Sequence, residues 1–169
     1  MLTITEILRA QNVNRWNLIA VTREQSIAEH TFNVISIVRA AAKRLDIRDE
    51  MLIKAAFEHD LDETVTGDIP SPTKAKAAQL GFDFGGLEGV KKNVDRLVPL
   101  DRSILKAADL MEAIHYLDNF GTGHRAAVVK DELTETLRSR LEQERHQYGD
   151  KYFEVMIDLF DEIIYGERE

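Results

Sequence analysis

The chain contains no cysteine among its 169 residues. That absence excludes disulfides and thiolate metal ligands, so any bound metal must be held by histidine, carboxylate and water. No stretch approaches the roughly 20 consecutive apolar residues of a membrane span, and the opening MLTITEILRA lacks the basic-then-apolar pattern of a secretory signal. A cytoplasmic location without membrane partners is the default expectation. Nor is there an excess of positive charge: the net charge is −8, which argues against the broad phosphate-tracking surface that a nucleic-acid polymer requires. A small anionic substrate would need a local basic patch instead. No repeat, low-complexity tract or convincing strand is present. What is present, 44% hydrophobic and 31% charged residues, is the composition of a soluble globular protein, expected to form one domain over residues 1–169.

Helical signals run from end to end, so the expected class is all-α, a single helical bundle. Thr3 with Glu6 forms a capping box for a first helix through about Ala10, and Ser26 with Glu29 forms a second, opening a long helix to Leu45. A third is expected from near Asp49 through His59 to Glu63, stopped by Gly67. Pro70 and Pro72 force an extended turn before a short basic helix over Thr73 to Leu80. GFDFGG, beginning at Gly81, is the most loop-like stretch. Further helices are expected over Leu87 to Leu97, Asp101 to Phe120, His124 to Gln147 and Lys151 to Tyr165. The charged run DELTETLRSRLEQER reads as a solvated helix face with ion pairs.

The stretch FEHDLDETVTGDIPSPTK, Phe57 to Lys74, carries more chemistry than a buried helix needs. On one helical turn His59, Asp60 and Glu63 would bring an imidazole and two carboxylates near a common point, a group able to hold a divalent cation through nitrogen and oxygen. Two neighbours on one turn bind a cation weakly, and His30 and Asp109 are the polar residues that could complete the set. Each also has an ordinary reading: His30 as a core histidine with hydrogen-bond partners, Asp109 as a partly buried aspartate satisfied by its own helix.

The order His30, His59 with Asp60, then Asp109 resembles that of the HD-domain metal-dependent phosphohydrolases, an all-helical fold. The likeness extends to the strings NRW from Asn14, EHT from Glu29, HDLDETVTGDIPSPTK from His59 and KAAD from Lys106. These are similar to the bacterial YfbR-type 5′-deoxynucleotidases and to the phage dATP triphosphohydrolases. The matching strings span positions 14 to 109, and the last sixty residues match only as helices.

This resemblance implies roles residue by residue. His30, His59, Asp60 and Asp109 would be metal ligands, a set suited to zinc, cobalt, manganese or iron, with magnesium the candidate for a second ion. Glu63 would orient or deprotonate the attacking water. Asp68 would recognise the sugar 3′-hydroxyl, and Arg15, Lys74 and Lys106 would contact phosphate, Arg15 as a bidentate fork and the lysines as point charges. Trp16 would help select deoxyribose, while Leu18 and Pro72 would line the base pocket. His115, His124 and His146 match no motif. The compact segment between the HD string and Asp109 favours a dATP triphosphohydrolase that depletes dATP for a phage using 2-aminoadenine. A deoxynucleoside 5′-monophosphatase is the alternative, and a non-catalytic nucleotide-binding module or a nuclease would be readings of another kind. The family implies a homo-oligomer, dimer or hexamer.

Overall fold

Helix α7 (Pro99–Phe120) is the axis of the protein, and its sequence explains why. Val98 is extended (φ −66°, ψ 157°), and Pro99 follows in the first turn, where a missing N–H costs nothing. From Ser103 onward apolar and small residues occur on nearly every side, so the helix is buried around most of its circumference. The computed structural model describes residues 2–82 and 92–166.

Four helices pack against α7: α2 (Ile27–Leu45), α3 (Glu50–Glu58), α8 (Gly123–Tyr148) and α9 (Asp150–Tyr165). In α2 the buried positions Ile27, His30, Thr31, Val34, Val38, Ala41 and Ala42 recur at helical spacing and make one inward stripe. Ala41, Ala42, Ala55, Ala56, Ala107 and Ala108 are all buried in the shared core, and such short side chains permit close approach of helices. Leu137, Leu141, Met156 and Phe160 fill the side formed by α8 and α9. Each such large side chain taken fully from water contributes about 1.5–3 kcal/mol.

The all-helical class is as expected; among the described residues there are only two isolated β-bridges, Asn14 with Ser26 and Val21 with Gly121. These pin the loop that runs from Val13 to Gln25, part of which lines a pocket. No helix among the described residues is long and apolar enough to cross a membrane.

Several boundaries differ from expectation. The first helix, α1 (Ile4–Leu8), has the complete Thr3 and Glu6 capping box but passes into a 3₁₀ turn at Arg9–Asn12. At α2 only half of the box forms: Ser26 accepts from the Glu29 N–H, while the Glu29 carboxylate turns to Arg23 at 2.5 Å. The third helix does not run unbroken to Glu63. It ends at Glu58, and α4 (Glu63–Thr66) follows after a tightened turn in which the N–H groups of Leu61, Glu63 and Thr64 bond three residues back rather than four. Gly67, at φ 76°, ends it as expected. Helix α5 (Ser71–Gln79) begins two residues early because Pro72 fits inside a first helical turn; only Pro70 is extended. Of the helix expected over Leu87 to Leu97, α6 (Lys92–Asp95) is seen, while its start and most of GFDFGG lie outside the described residues. In the charged run of α8, Glu144 departs from the solvated face: it is buried, accepting from the Tyr152 hydroxyl at 2.7 Å and pairing with Arg140.

Candidate active site

Three separate elements deliver four potential ligands around His30 Nε2. The first turn of α2 brings His30, the turn after α3 brings His59 and Asp60, and the middle of α7 brings Asp109. The Nε2 atom of His30 lies 3.1 Å from His59 Nε2, 3.5 Å from Asp60 Oδ2 and 3.4 Å from Asp109 Oδ1. His59 Nε2 is 3.4 Å from the same Asp60 oxygen. One donor atom each of His30, His59 and Asp60 lies within 4.8 Å of the others.

The opposite ring nitrogens decide what this means. His59 Nδ1 lies 2.6 Å from the Ala56 carbonyl, which can only accept, so Nδ1 carries the proton. His30 Nδ1 donates to Glu112 Oε2 at 2.5 Å. Both Nε2 atoms therefore turn lone pairs toward each other at 3.1 Å, beside two carboxylates. Such an arrangement is repulsive unless a cation stands in it. Two imidazole nitrogens and two carboxylates, each imidazole oriented through its far nitrogen, fit a divalent metal.

Without a metal the cation is a proton. Burial and the nearby Arg15 push the His30 pKa down, but hydrogen bonds to Asp109, Asp60 and Glu112 outweigh both and raise it to about 10. Burial would raise Asp109 and Asp60, but the imidazoles, joined at Asp109 by Lys106, outweigh it and hold both well below the ordinary carboxylate range. A metal must therefore displace the His30 proton. Between pH 7 and 9 we expect metal binding to release about one proton and its apparent affinity to tighten roughly tenfold per pH unit. Calorimetry in buffers of different ionisation enthalpy measures the release, and an affinity that ignores pH would contradict it.

Glu63 lies one short turn further along the chain. It is 5% exposed; Oε1 accepts from Lys74 Nζ at 3.0 Å, and Oε2 is buried without a hydrogen-bond partner. Burial first, then the charge of Asp60, raise its pKa to about 7 against the opposing pull of Lys74. A carboxylate with one oxygen held and the other free is positioned to accept a proton.

Beside the cluster lies a pocket of about 530 Å³. Arg15, Trp16, Leu18 and Asp68 form one wall, Pro72 another, and Lys106 and Asp109 its junction with the ligand cluster. The Arg15 guanidinium is 3.9 Å from Glu112, and its NH1 is buried without a hydrogen-bond partner. Trp16 has φ 66°, a left-handed backbone that costs a bulky residue about 1–3 kcal/mol. It is held there by a hydrogen bond from Nε1 to Gln25 Oε1 (2.8 Å) and by stacking on Tyr116, with ring planes 3° apart. Burial raises the Asp68 pKa against the pull of Arg15 and Lys74. Of the twelve residues singled out in the sequence, Arg15, Trp16, Leu18, Asp68, Pro72, Lys106 and Asp109 line the pocket, His30, His59 and Asp60 cluster with Asp109, and Glu63 and Lys74 bond each other. Lys74 bonds Glu63, and Lys106 Nζ bonds Asp109 Oδ2 at 2.7 Å, so both lysines face site carboxylates.

Glu112, Gln25 and Arg125 also stand at the site and were not among the residues expected from the sequence. Glu112 is 1% exposed; its signal was an acid three residues after Asp109, on the same face of a helix otherwise apolar there. Gln25, fully buried, gave no signal because it precedes a cap. Arg125 of α8 adds a cation to the pocket lining.

Residues 4–99 match the family model described as 5′-deoxynucleotidase YfbR-like. The chain belongs to this family. YfbR-like relatives include the dATP triphosphohydrolase of Acinetobacter phage SH-Ab 15497, 36% identical over 141 residues that cover 71% of this chain and 68% of that protein. The 5′-deoxynucleotidase YfbR of Shigella flexneri serotype 5b is 27% identical, with 90% of this chain and 88% of that one covered. Among solved structures, the Cyanophage S-2L HD phosphohydrolase (DatZ), bound to dA and one catalytic Zn2+ ion, superposes with a TM-score of 0.85 over 98% of both chains at 26% identity. The chain is thus an HD-domain phosphohydrolase of the group containing the phage dATP triphosphohydrolases and the YfbR 5′-deoxynucleotidases.

Proposed function

We propose that this phosphohydrolase cleaves 2′-deoxynucleotides at the bond between the α-phosphorus and O5′, with dATP the preferred substrate and deoxyadenosine and triphosphate the products. The observation that carries the reading is the pocket walled by Arg15, Trp16 and Asp68, which ends on Asp109 of the ligand cluster. The similarity to phage dATP triphosphohydrolases supports the choice of dATP.

His30, His59, Asp60 and Asp109 would hold the metal, zinc before cobalt, manganese or iron. A divalent cation there supplies Lewis acidity, lowering the pKa of a water and offsetting negative charge on phosphate oxygens. Glu63 Oε2 accepts the proton as the water oxygen bonds to phosphorus; the P–O5′ bond breaks and O5′ leaves with a proton. Arg15 offers its guanidinium fork to the phosphates, with Lys74 and Lys106 adding charge. Asp68 accepts a hydrogen bond from the 3′-hydroxyl, and Trp16 closes off the space that a 2′-hydroxyl would need. Leu18 and Pro72 bound the base. In a phage that carries 2-aminoadenine, such an enzyme would remove the competing dATP.

Because both reactions put O5′ in the leaving position, the same residues could hydrolyse deoxynucleoside monophosphates, a second reading favoured by the description of the matching family. Zinc-loaded protein incubated with dATP, dAMP and ATP is expected to release triphosphate from dATP at least tenfold faster than phosphate from dAMP, and to turn ATP over about 10²-fold more slowly than dATP. Phosphate released from dAMP alone would establish the second reading.

A further inference from the structure

A continuous run of buried polar groups joins the pocket wall to the ligand cluster. Trp16 Nε1 donates to Gln25 Oε1 at 2.8 Å, Gln25 Nε2 donates to Glu112 Oε1 at 2.5 Å, and His30 Nδ1 donates to Glu112 Oε2 at 2.5 Å. Asn33 adds a donor to Glu112 at 3.0 Å. Gln25 and His30 are fully buried and Glu112 is 1% exposed, so water does not compete for the bonds that Gln25 and His30 make to Glu112.

Each link has one direction. The indole N–H can only donate, so the amide oxygen of Gln25 must face it and the amide nitrogen must face Glu112. The carboxylate accepts on both oxygens, which requires the proton of His30 to sit on Nδ1. Reversing any member would leave two donors or two acceptors in contact, and in a buried site that arrangement is strongly unfavourable. At one end of the run is His30 Nε2, aimed at the metal position; at the other is the strained Trp16 in the pocket wall.

We propose that Glu112 and Gln25 are positioning residues that couple the two ends: Glu112 fixes the tautomer and angle of His30, and Gln25 transmits that constraint to Trp16, so metal occupancy and the pocket wall are set together. This inference rests on the reading that the His/Asp cluster holds a divalent metal.

Trp16 is the only tryptophan, so intrinsic fluorescence reports on one end of the run alone. Zn2+ has a filled d shell and is a suitable probe. Metal-stripped protein is titrated with Zn2+ while binding is followed by calorimetry and Trp16 by its emission. The wild type is expected to change emission in step with Zn2+ occupancy. Glu112→Gln, which keeps the shape but replaces an acceptor with a donor, is expected to weaken Zn2+ binding about 10- to 100-fold. Gln25→Met is expected to bind Zn2+ with a silent tryptophan and to raise KM for dATP about tenfold, against about a twofold fall in kcat. Circular dichroism establishes that each variant is folded, and since the two substitutions lie at different links, either variant alone keeps the inference open to failure. Wild-type protein that binds Zn2+ with unchanged emission would overturn the coupling while leaving the metal site intact. So would Gln25→Met with a wild-type emission response, or Glu112→Gln with wild-type Zn2+ affinity. A wild type that binds no Zn2+ would overturn the metal reading itself.

Discussion

A Glu63→Gln variant is expected to keep its metal and lose turnover by about 10²- to 10⁴-fold, the range that a positioned base contributes. The substitution preserves volume, and the amide oxygen can still accept from Lys74. What it removes is the capacity of the free oxygen, buried without a partner in the native protein, to take a proton. Burial and Asp60 raise the Glu63 pKa to about 7, which keeps the carboxylate basic enough to be useful near neutral pH. A cation in the adjacent cluster favours the ionised form and lowers that value. In the wild type kcat/KM should therefore rise with pH along an acid limb centred below 7, since only the carboxylate can accept, and that limb should vanish in Glu63→Gln. Triphosphate release from dATP over a pH series, with metal content measured on the same samples, checks both points. A variant within about fivefold of wild-type turnover would remove Glu63 from the role of base.

Stripping the metal with a chelator is expected to reduce hydrolysis by at least about 10³-fold, and adding Zn2+, Co2+ or Mn2+ back should restore it. The stripped protein should stay folded at neutral pH, because protonated His30 then stands among Asp109, Asp60 and Glu112. The sign of its pH dependence follows from the raised pKa. A histidine near 10 in the folded chain and near 6.5 in the unfolded one contributes stability that is complete below pH 6.5 and lost as pH rises through about 10. The loaded protein holds a metal where that proton stood and lacks this loss. Thermal melts of both forms should diverge progressively between pH 7 and 9.5, the stripped form falling further behind. Melting curves that stay parallel across that range would show that the raised His30 pKa is not coupled to folding.

Much of the fold could be read from the chain because its signals are local. Thr3 with Glu6, Ser26 before Ile27, and Gly67 at positive φ mark ends that depend on a few adjacent residues. Boundaries failed where geometry depended on more distant parts. The pattern from Asp49 to Glu63 is helical in period, yet the N–H groups after Glu58 bond three residues back, and periodicity cannot distinguish a tightened turn from a continued helix. The grouping of His30, His59, Asp60 and Asp109 was legible because polar residues stand out among apolar neighbours and because their order resembles that of the HD-domain phosphohydrolases. Glu112 was not, since an acid in a long helix ordinarily reads as a solvated ion-pair partner; only the burial of its whole face makes it exceptional. Gln25 becomes meaningful only when α7 is placed beside it, a long-range fact absent from any local window.

The two lysines of the site already have partners. Lys74 holds Glu63 and Lys106 holds Asp109 in a protein with eight excess negative charges. In the proposed reaction an arriving phosphate would not meet idle cations; it would trade places with a carboxylate on each. The same carboxylates stand ready to reclaim the lysines when the product is to go. Such an exchange would weaken the hold on substrate and product alike, and if the proposed release of triphosphate holds, turnover would gain from being able to let so highly charged an anion leave.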